Sequence, residues 1–322
     1  MGKPELVFDI VNSVKGGSGK STIALNLAIH HSVKNTVAYI IDLDLRGTSW
    51  VPNYSSFFEG KEHIDKWQYL HAKNPHQSLL YNEPNWSMLF RTFMVNIDAN
   101  DNRRIHVCVA DPEANGEIDD PRADFLCYAV IKIIELICAE NTDKECIHII
   151  FDMPPSYERH AERVIEKVLL DTNSILYQQG KADISINMYM VCALTPAHFT
   201  QNFVYLESFL NKGNYSSLLL EFIREGKFKI SILGNDVTGI TSIDSSTSDT
   251  LMRSINENCA KQIEKISKPF NIKSFINYSG MPIPHTPFKG DLGEWITLSN
   301  DSKELPSFYD GFKRAVFDSR FR

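Results

Sequence analysis

The run KGGSGKST, residues 15–22, decides the fold of this chain. It follows an apolar stretch at 6–11 and opens an amphipathic one at 21–31, which is the strand–loop–helix context of a phosphate-binding loop. The glycines let successive backbone N–H groups turn toward phosphates, and the helix start adds the positive end of its dipole. Lys20 can reach the β- and γ-phosphates, and the Ser21 hydroxyl can ligate Mg²⁺. The predicted nucleotide-binding residues of the loop are Gly16, Gly17, Ser18, Gly19, Lys20, Ser21 and Thr22.

Short apolar runs alternate with amphipathic stretches along the rest of the chain. The predicted strands are Leu6 to Val11, Val37 to Ile41, Ile105 to Val109, Ile147 to Phe151, Met188 to Ala193 and Phe228 to Leu233. The predicted helices are Ser21 to His31, Ala123 to Glu140, Glu158 to Leu170, Ala197 to Leu210 and Thr250 to Ile266. This alternation predicts an α/β fold, a mostly parallel twisted sheet with helices on both faces. We expect residues 1–322 to form a single domain of the P-loop NTPase type.

Two segments interrupt the alternation. Residues 47–103 are rich in aromatic side chains and turn formers, which indicates an elaboration of the first crossover connection. Residues 238–250 are dense in serine and threonine, which predicts an exposed mobile loop.

Two of the predicted strands end in carboxylates. Asp42 and Asp44 follow the second strand at positions i and i+2, so strand periodicity sends both side chains to the same side. Asp152 follows the fourth strand, and Pro154 and Pro155 stiffen the loop beyond it. Ligands of parallel sheets bind at the carboxyl ends of the strands, so these side chains can face the glycine-rich loop.

The glycine-rich loop departs from the strict G-x-x-x-x-G-K-[ST] pattern, because Val14 stands where the first glycine would be and Lys15 follows it. In this form it resembles the deviant Walker A motif, K-G-G-x-G-K-[ST], of the ParA/MinD family of partition and positioning ATPases, and ParA-type partition ATPases most closely. The segment at 42–44 resembles the D-x-D switch I of that family. The segment at 148–155 resembles its Walker B and switch II region. The resemblance covers most of the chain and is most specific at 15–22.

The resemblance implies a role for each residue of these motifs. Lys15 would cross a dimer interface to the nucleotide of the partner, and Asp44 would orient the attacking water in ATP hydrolysis. Asp42 and Asp152 would support Mg²⁺ through its water shell. The implied catalytic residues are thus Lys15, Lys20 and Asp44, and the implied metal-binding residues are Ser21, Asp42 and Asp152.

Weaker resemblances follow later in the chain. Asn235 comes after an apolar run, where members of the family often place an asparagine whose amide contacts adenine. A plain turn at 234–236 explains the same residues. Residues 281–285 resemble the loop that covers the base in the family.

The function implied by the resemblance is that of an ATP-dependent switch between an ATP-bound homodimer and an ADP-bound monomer. In the family this switch most often segregates plasmids or chromosomes with a centromere-binding, ParB-like activator, and the dimer holds DNA non-specifically. ATP and Mg²⁺ are the expected cofactors, and the expected location is the cytoplasm, with association with the nucleoid. Basic positions that permit DNA binding are Lys261, Lys265, Lys268, Lys273, Lys313, Arg314, Arg320 and Arg322.

Three other function classes share the fold. A membrane- or cargo-positioning ATPase of the MinD type would use the chain end at 308–321 as an amphipathic anchor, although such a helix more commonly packs on the core. Metabolic amidotransferases and synthetases would have little use for Lys15. An electron-transferring relative would need a paired cysteine set, and the six cysteines show no C-x-x-C spacing.

Composition limits the remaining possibilities. A formal net charge of -7 gives no overall attraction to nucleic acid, so DNA binding would need a local basic face. The ten histidines show no metal-binding spacing, and His30 and His31 adjoin on a predicted helix and so do not share a face. The sequence predicts neither a transmembrane helix nor a signal peptide.

Overall fold

The computed structural model describes residues 4–44, 50, 90–98, 101–109, 120–155, 159–166, 183–211, 216–242, 245–272, 275–285 and 304–317. Its strands are β1 Glu5–Asn12, β2 Thr36–Asp42, β3 Arg91–Asp98, β4 Asp101–Cys108, β5 Cys146–Asp152, β6 Asp183–Ala193, β7 Phe228–Asn235 and β8 Ile276–Tyr278. They form one sheet in the order β3-β4-β2-β5-β1-β6-β7-β8. Every pairing is parallel except the β3–β4 hairpin at one edge.

Helices cover both faces of this sheet. They are α1 Lys20–His31, α2 Asp120–Glu140, α3 Arg159–Val164, α4 Pro196–Leu210, α5 Ser216–Arg224, α6 Ser245–Ser267 and α7 Glu304–Phe317, with short 3-10 turns at Ile240–Ser242 and Lys268–Phe270. The predicted α/β class, with a mostly parallel sheet between two helical layers, is confirmed.

Alternation along the strands divides the core in two. Ile10 and Ile41 belong to an apolar cluster that α2, α4 and α6 complete on one face. Their neighbours Val11 and Ile40 belong to a second cluster, completed by α1 and α7 on the other face. Because both faces are covered, the central strands are apolar almost throughout, and polar residues within them need a specific explanation.

The structure corrects the predicted loop at 238–250. Helix α6 begins at Ser245, and Ile240–Ser242 forms a 3-10 turn. The Asp236 carboxylate holds this turn, because it accepts hydrogen bonds from the backbone nitrogens of Ile240 (2.9 Å) and Thr241 (3.0 Å). Serine and threonine are weak helix formers, so composition alone misplaced the start of α6.

Other predictions lie partly outside the described residues. Of the aromatic-rich elaboration at 47–103, the structure describes Trp50, the strand β3 and the start of β4. The predicted helix at 158–170 is described as far as 166, and its α-helical part is Arg159–Val164. Lys273, Arg320 and Arg322 are not among the described residues.

Candidate nucleotide site

The glycine-rich loop connects β1 to α1 at the carboxyl edge of the sheet. Gly17 and Gly19 have φ angles of 71° and 86°, in the left-handed region that favours glycine. A Cβ on Gly19 would also overlap the side-chain amide nitrogen of Asn235. Both conformation and space therefore require glycine at position 19.

Three asparagine side chains brace this loop. Asn12 Oδ1 accepts a hydrogen bond from the Ser13 nitrogen (2.8 Å). Asn202 Oδ1, on α4, accepts from the Val14 nitrogen (3.2 Å). Asn235 Nδ2, at the end of β7, donates to the Ser18 carbonyl oxygen (2.8 Å). The loop is thus fixed from several elements at once.

The two loop lysines have different surroundings. Lys20 is buried, with 7% of its surface exposed, and it stands at the first position of α1. Lys15 is exposed to solvent, and Ser21 and Thr22 are half-buried. Lys20 is therefore enclosed by its own chain, whereas Lys15 is accessible to another molecule.

The predicted carboxylates meet beside the loop. Asp42 and Asp152 are register partners at the ends of β2 and β5, and both are buried. Asp42 Oδ1 accepts a hydrogen bond from the Asp44 nitrogen (3.0 Å), which fixes the turn that Asp44 occupies. Asp44 itself is half-buried. The strand ends therefore bring Asp42, Asp44 and Asp152 to one edge of the sheet.

The two oxygens of Asp152 are not equivalent. Oδ2 accepts a hydrogen bond from Trp50 Nε1 (2.9 Å), while Oδ1 is buried and has no hydrogen-bond partner among the described residues. Burial raises the pKa of this carboxyl, and the charge of Asp44 adds to the effect, whereas the charge of Lys20 and the polar side chains of Ser21 and Trp50 act to lower it. A buried oxygen without a partner is costly unless a cation or a donor completes it.

The donor set at this edge fits Mg²⁺. Ser21, Asp42 and Asp152 offer hydroxyl and carboxylate oxygens, the hard ligands that Mg²⁺ prefers, usually with several waters retained. The unpartnered Oδ1 of Asp152 gives such a water shell an acceptor.

The sequence did not single out His198, which also lies near the loop. Its Nδ1 accepts a hydrogen bond from the Ala193 nitrogen (2.7 Å), and its buried Nε2 has no partner within the described ranges. Burial lowers the pKa of His198, and so do the charges of Lys15 and Lys20. His198 lies on the first turn of α4, shortly after the carboxyl end of β6. Ligands of parallel sheets bind at the carboxyl ends of the strands, so the same rule that indicated Asp42 and Asp152 also applies to His198.

The side chain of Asn235 contacts the glycine-rich loop, which its predicted contact with adenine did not specify. Its amide nitrogen donates to the loop at Ser18. Just beyond it, Ile283 pairs with β7 through an isolated bridge to Asn235. The adenine contact remains a prediction, and the structure adds a bracing function for the same side chain.

A second polar cluster lies within the sheet, on the face covered by α1. His148 Nδ1 on β5 is 2.7 Å from Asp9 Oδ2 on β1, and Asn187 Nδ2 donates to Asp9 Oδ1 (2.9 Å). His31, at the end of α1, stacks on His148 with ring centroids 3.6 Å apart and planes 9° apart. Asp9, His31 and His148 lie close enough together to hold a metal ion. The rings of His31 and His148, however, lie in parallel planes, so their nitrogen lone pairs do not converge on one point. This geometry favours a hydrogen-bonded ion pair between His148 and Asp9 over a metal site.

Helix α7 packs on the core, which was the commoner of the two alternatives for residues 308–321. Tyr309, Phe312 and Val316 on α7 are buried in the apolar cluster shared with α1, and His30 stacks on Phe317 at 3.8 Å. The apolar side of α7 is thereby occupied by the core. No described helix combines the length and apolar character that a membrane crossing requires.

Comparisons with known proteins found one family model and several solved structures that are similar to this chain. The family model described as ATPase MipZ matches residues 7–89. No match was found among curated proteins. A solved structure of pNOB8 ParA is 12% identical, with 99% of this chain and 96% of that chain covered and a TM-score of 0.49.

Two further solved structures are similar at the same level. The MinC:MinD cell division protein complex of Aquifex aeolicus is 15% identical, covers 96% of this chain and 95% of that chain, and has a TM-score of 0.48. The Cyanothece McdA(D38A)–ATP complex is 14% identical, covers 98% and 97%, and has a TM-score of 0.48. The segment matched by the family model, residues 7–89, contains the glycine-rich loop and the segment at 42–44. Over residues 7–89 the chain is therefore similar to the ATPase MipZ family, a group of ParA/MinD-like ATPases.

Proposed function

We propose that this chain binds Mg²⁺·ATP at the loop 15–22, hydrolyses it, and uses the nucleotide to switch between a dimer and a monomer. The observation that carries the proposal is the unpartnered, buried Oδ1 of Asp152 beside the charge of Lys20. A carboxylate kept in this state costs stability, and a Mg²⁺ water shell would offset that cost.

Each residue of the site has a defined task in this proposal. Lys20 and the loop N–H groups bind the β- and γ-phosphates. Ser21, Asp42 and Asp152 hold Mg²⁺, which neutralises charge on the phosphates when it is bound. Asp44 accepts a hydrogen bond from the attacking water and orients it toward the γ-phosphate.

Lys15 is assigned to the dimer. Its side chain is exposed, while Lys20 five residues later is buried. An exposed lysine on a phosphate-binding loop can complete the site of a second copy, whose Lys15 would complete this one. Hydrolysis would remove the γ-phosphate that both lysines contact, and the dimer would separate.

The proposed output is partition of plasmid or chromosomal DNA with a ParB-like activator. Helix α6 carries three exposed basic side chains, Arg253 in its first half and Lys261 and Lys265 near its end, and Lys268 follows it. Lys265 is paired with Glu207 at 2.9 Å. Because the formal net charge is -7, non-specific DNA binding would depend on such a local face, doubled in the dimer.

Duplex DNA binding by Asp44→Ala tests the proposal, since this variant should bind ATP and retain it as a dimer. We expect DNA binding in Mg-ATP and not in Mg-ADP, with affinity that falls steeply as salt rises. Lys20→Ala is the control, because it should bind neither nucleotide nor DNA. A confirmed ATP dimer that binds no DNA would overturn the partition role and favour a MinD-type protein that positions membrane or protein cargo.

A further inference from the structure

Trp50 connects the aromatic-rich segment to the metal side of the nucleotide site. It is 1% exposed and packs in the apolar cluster that also contains Val95 and Val109. Its indole nitrogen donates to Asp152 Oδ2 across 102 positions of sequence. Trp50 lies outside the sequence motifs at 15–22, 42–44 and 148–155.

The hydrogen bond from Trp50 is well suited to fix a carboxylate. A buried indole N–H needs an acceptor, and a carboxylate oxygen is a strong one because its charge shortens and strengthens the bond. The surrounding apolar side chains keep water from competing for either atom. With Oδ2 held in this way, the carboxyl group of Asp152 cannot rotate freely.

The second oxygen of Asp152 is left available by this arrangement. Oδ1 is buried and lacks a hydrogen-bond partner in the part of the chain that the structure describes. We propose that Trp50 is a positioning residue for the metal site, whose indole N–H fixes Asp152 Oδ2 so that Oδ1 faces the water shell of Mg²⁺. This inference rests on the proposed binding of Mg²⁺·ATP, and it identifies Trp50 as a residue on which the contribution of Mg²⁺ to nucleotide binding depends.

The test separates binding of the metal from binding of the nucleotide. Trp50→Phe keeps an aromatic ring in the core and removes only the N–H donor. Binding of a fluorescent ATP analogue is titrated in EDTA and at rising Mg²⁺ concentration. We expect Trp50→Phe to need about tenfold more Mg²⁺ for its half-maximal effect, the loss typical of one hydrogen bond to a charged group. Nucleotide affinity in EDTA should be unchanged.

Two controls distinguish positioning from packing. Val95→Ala removes apolar volume from the same cluster and should lower the melting temperature without changing the Mg²⁺ requirement. In an Asp152→Asn background, Trp50→Phe should cause no additional change, because the carboxylate that it positions is gone. An equal loss of affinity in EDTA and in Mg²⁺, or an additive loss in the double variant, would overturn the proposal.

A second measurement applies if Trp50→Phe does not fold. The chain has four tryptophans, and replacing the other three with phenylalanine leaves Trp50 as the only indole. Addition of Mg²⁺ in the presence of ATP should then change its fluorescence, and unchanged emission would contradict the proposal. A wild-type chain that binds no ATP would overturn the proposed function itself. Normal Mg²⁺-dependent binding in Trp50→Phe would overturn only the role of Trp50.

Discussion

Asp9 and Asp152 are both buried carboxylates on neighbouring strands, β1 and β5, but their partners differ. Both oxygens of Asp9 have partners, one in His148 and the other in Asn187. Burial alone would raise the pKa of Asp9, yet the charge and hydrogen bond of His148 outweigh it, and the pKa is lowered. Asp152 has a partner on one oxygen only, and its pKa is raised.

This difference separates a charge that the fold satisfies from one that it leaves partly unsatisfied. The Asp9–His148 pair neutralises itself within the fold, so it needs nothing from solution. Asp152 stands at the edge of the sheet with one oxygen unsatisfied. Lys20, Ser21 and Trp50 favour its ionised form but do not outweigh burial, so a bound ligand would stabilise that form further. Substitutions at the two places should therefore affect different properties. Changes at Asp9 and His148 should alter the stability of the fold, whereas a change at Asp152 should alter nucleotide binding and hydrolysis.

The largest expected effect is a loss of stability in His148→Ala. Removing one member of a buried pair leaves the charge of Asp9 uncompensated, which costs about 3–5 kcal/mol of the free energy of unfolding. Urea denaturation followed by circular dichroism would measure the loss. ATP affinity per folded molecule should be retained, and an unchanged free energy of unfolding would contradict the structural role of the pair.

The Asp152→Asn variant should behave in the opposite way. If Asp152 holds Mg²⁺ as proposed, its loss should slow ATP hydrolysis by about 100-fold, because a metal ion contributes several kcal/mol of charge stabilisation. In metal-free buffer the stability should be retained or should rise, since the variant removes a buried charge whose ionised form the fold disfavours. Phosphate release and urea denaturation on the same sample test both statements.

A marked loss of stability in Asp152→Asn would break the comparison, because Asp152 would then resemble Asp9. The isosteric Asp9→Asn is the matched control. It should be destabilising, since it leaves His148 without its counter-charge.

Much of the candidate nucleotide site at the carboxyl edge of the sheet was predictable, because its sequence signals are local. The loop 15–22 is contiguous, and Asp42, Asp44 and Asp152 each follow an apolar run directly. Parallel strands then bring their carboxyl ends to one edge without any further information. The same logic predicted the central strands within a few residues of their observed ends.

The Asp9–His148 pair was not predictable, since it joins residues 139 positions apart and depends on strand register. The residues of strand β3 were predicted to belong to the aromatic-rich elaboration at 47–103 and not to a strand. Phe93 and Val95 are buried and Met94 between them is exposed, which is the alternation of an edge strand. Strand β8 spans three residues, too few for a periodic pattern. The contact between Trp50 and Asp152 also depends on tertiary packing, which spacing does not encode.

Gly19→Ala tests whether the loop depends on its backbone conformation. An alanine at the observed φ of 86° would cost about 2 kcal/mol, which corresponds to about 30-fold weaker ATP binding. The added methyl group would also crowd Asn235. Isothermal titration with ATP measures the loss.

Gly16→Ala is the matched control for this change. It adds the same methyl group where nothing lies within 4 Å, and its φ is outside the left-handed region. Its effect on ATP affinity should be much smaller than that of Gly19→Ala. Equal losses in both variants would show that the φ angle of Gly19 does not limit nucleotide binding.

Measured per unit of pH, the smallest expected effect is the dependence of stability on alkaline pH. Burial acts to lower the pKa of His148, but the charge and hydrogen bond of Asp9 raise it to about 10, from an ordinary value of 6.5. A raised folded-state pKa contributes stability that is complete below 6.5 and is lost as pH rises through 10. Between pH 7 and 9 this group should lower the free energy of unfolding by about 1.4 kcal/mol per pH unit.

His148→Gln provides the reference for this measurement, since it cannot bind the proton. The nearby Asp9 and His31 do not contribute in this range, because the pKa of Asp9 is lowered and burial lowers the pKa of His31 to about 3. Urea midpoints at pH 7, 8 and 9 should therefore fall more steeply in the wild-type chain than in the variant. Equal slopes would mean that the His148 imidazole is neutral in the fold, and the contrast between a self-neutralised Asp9 and an unsatisfied Asp152 would be lost.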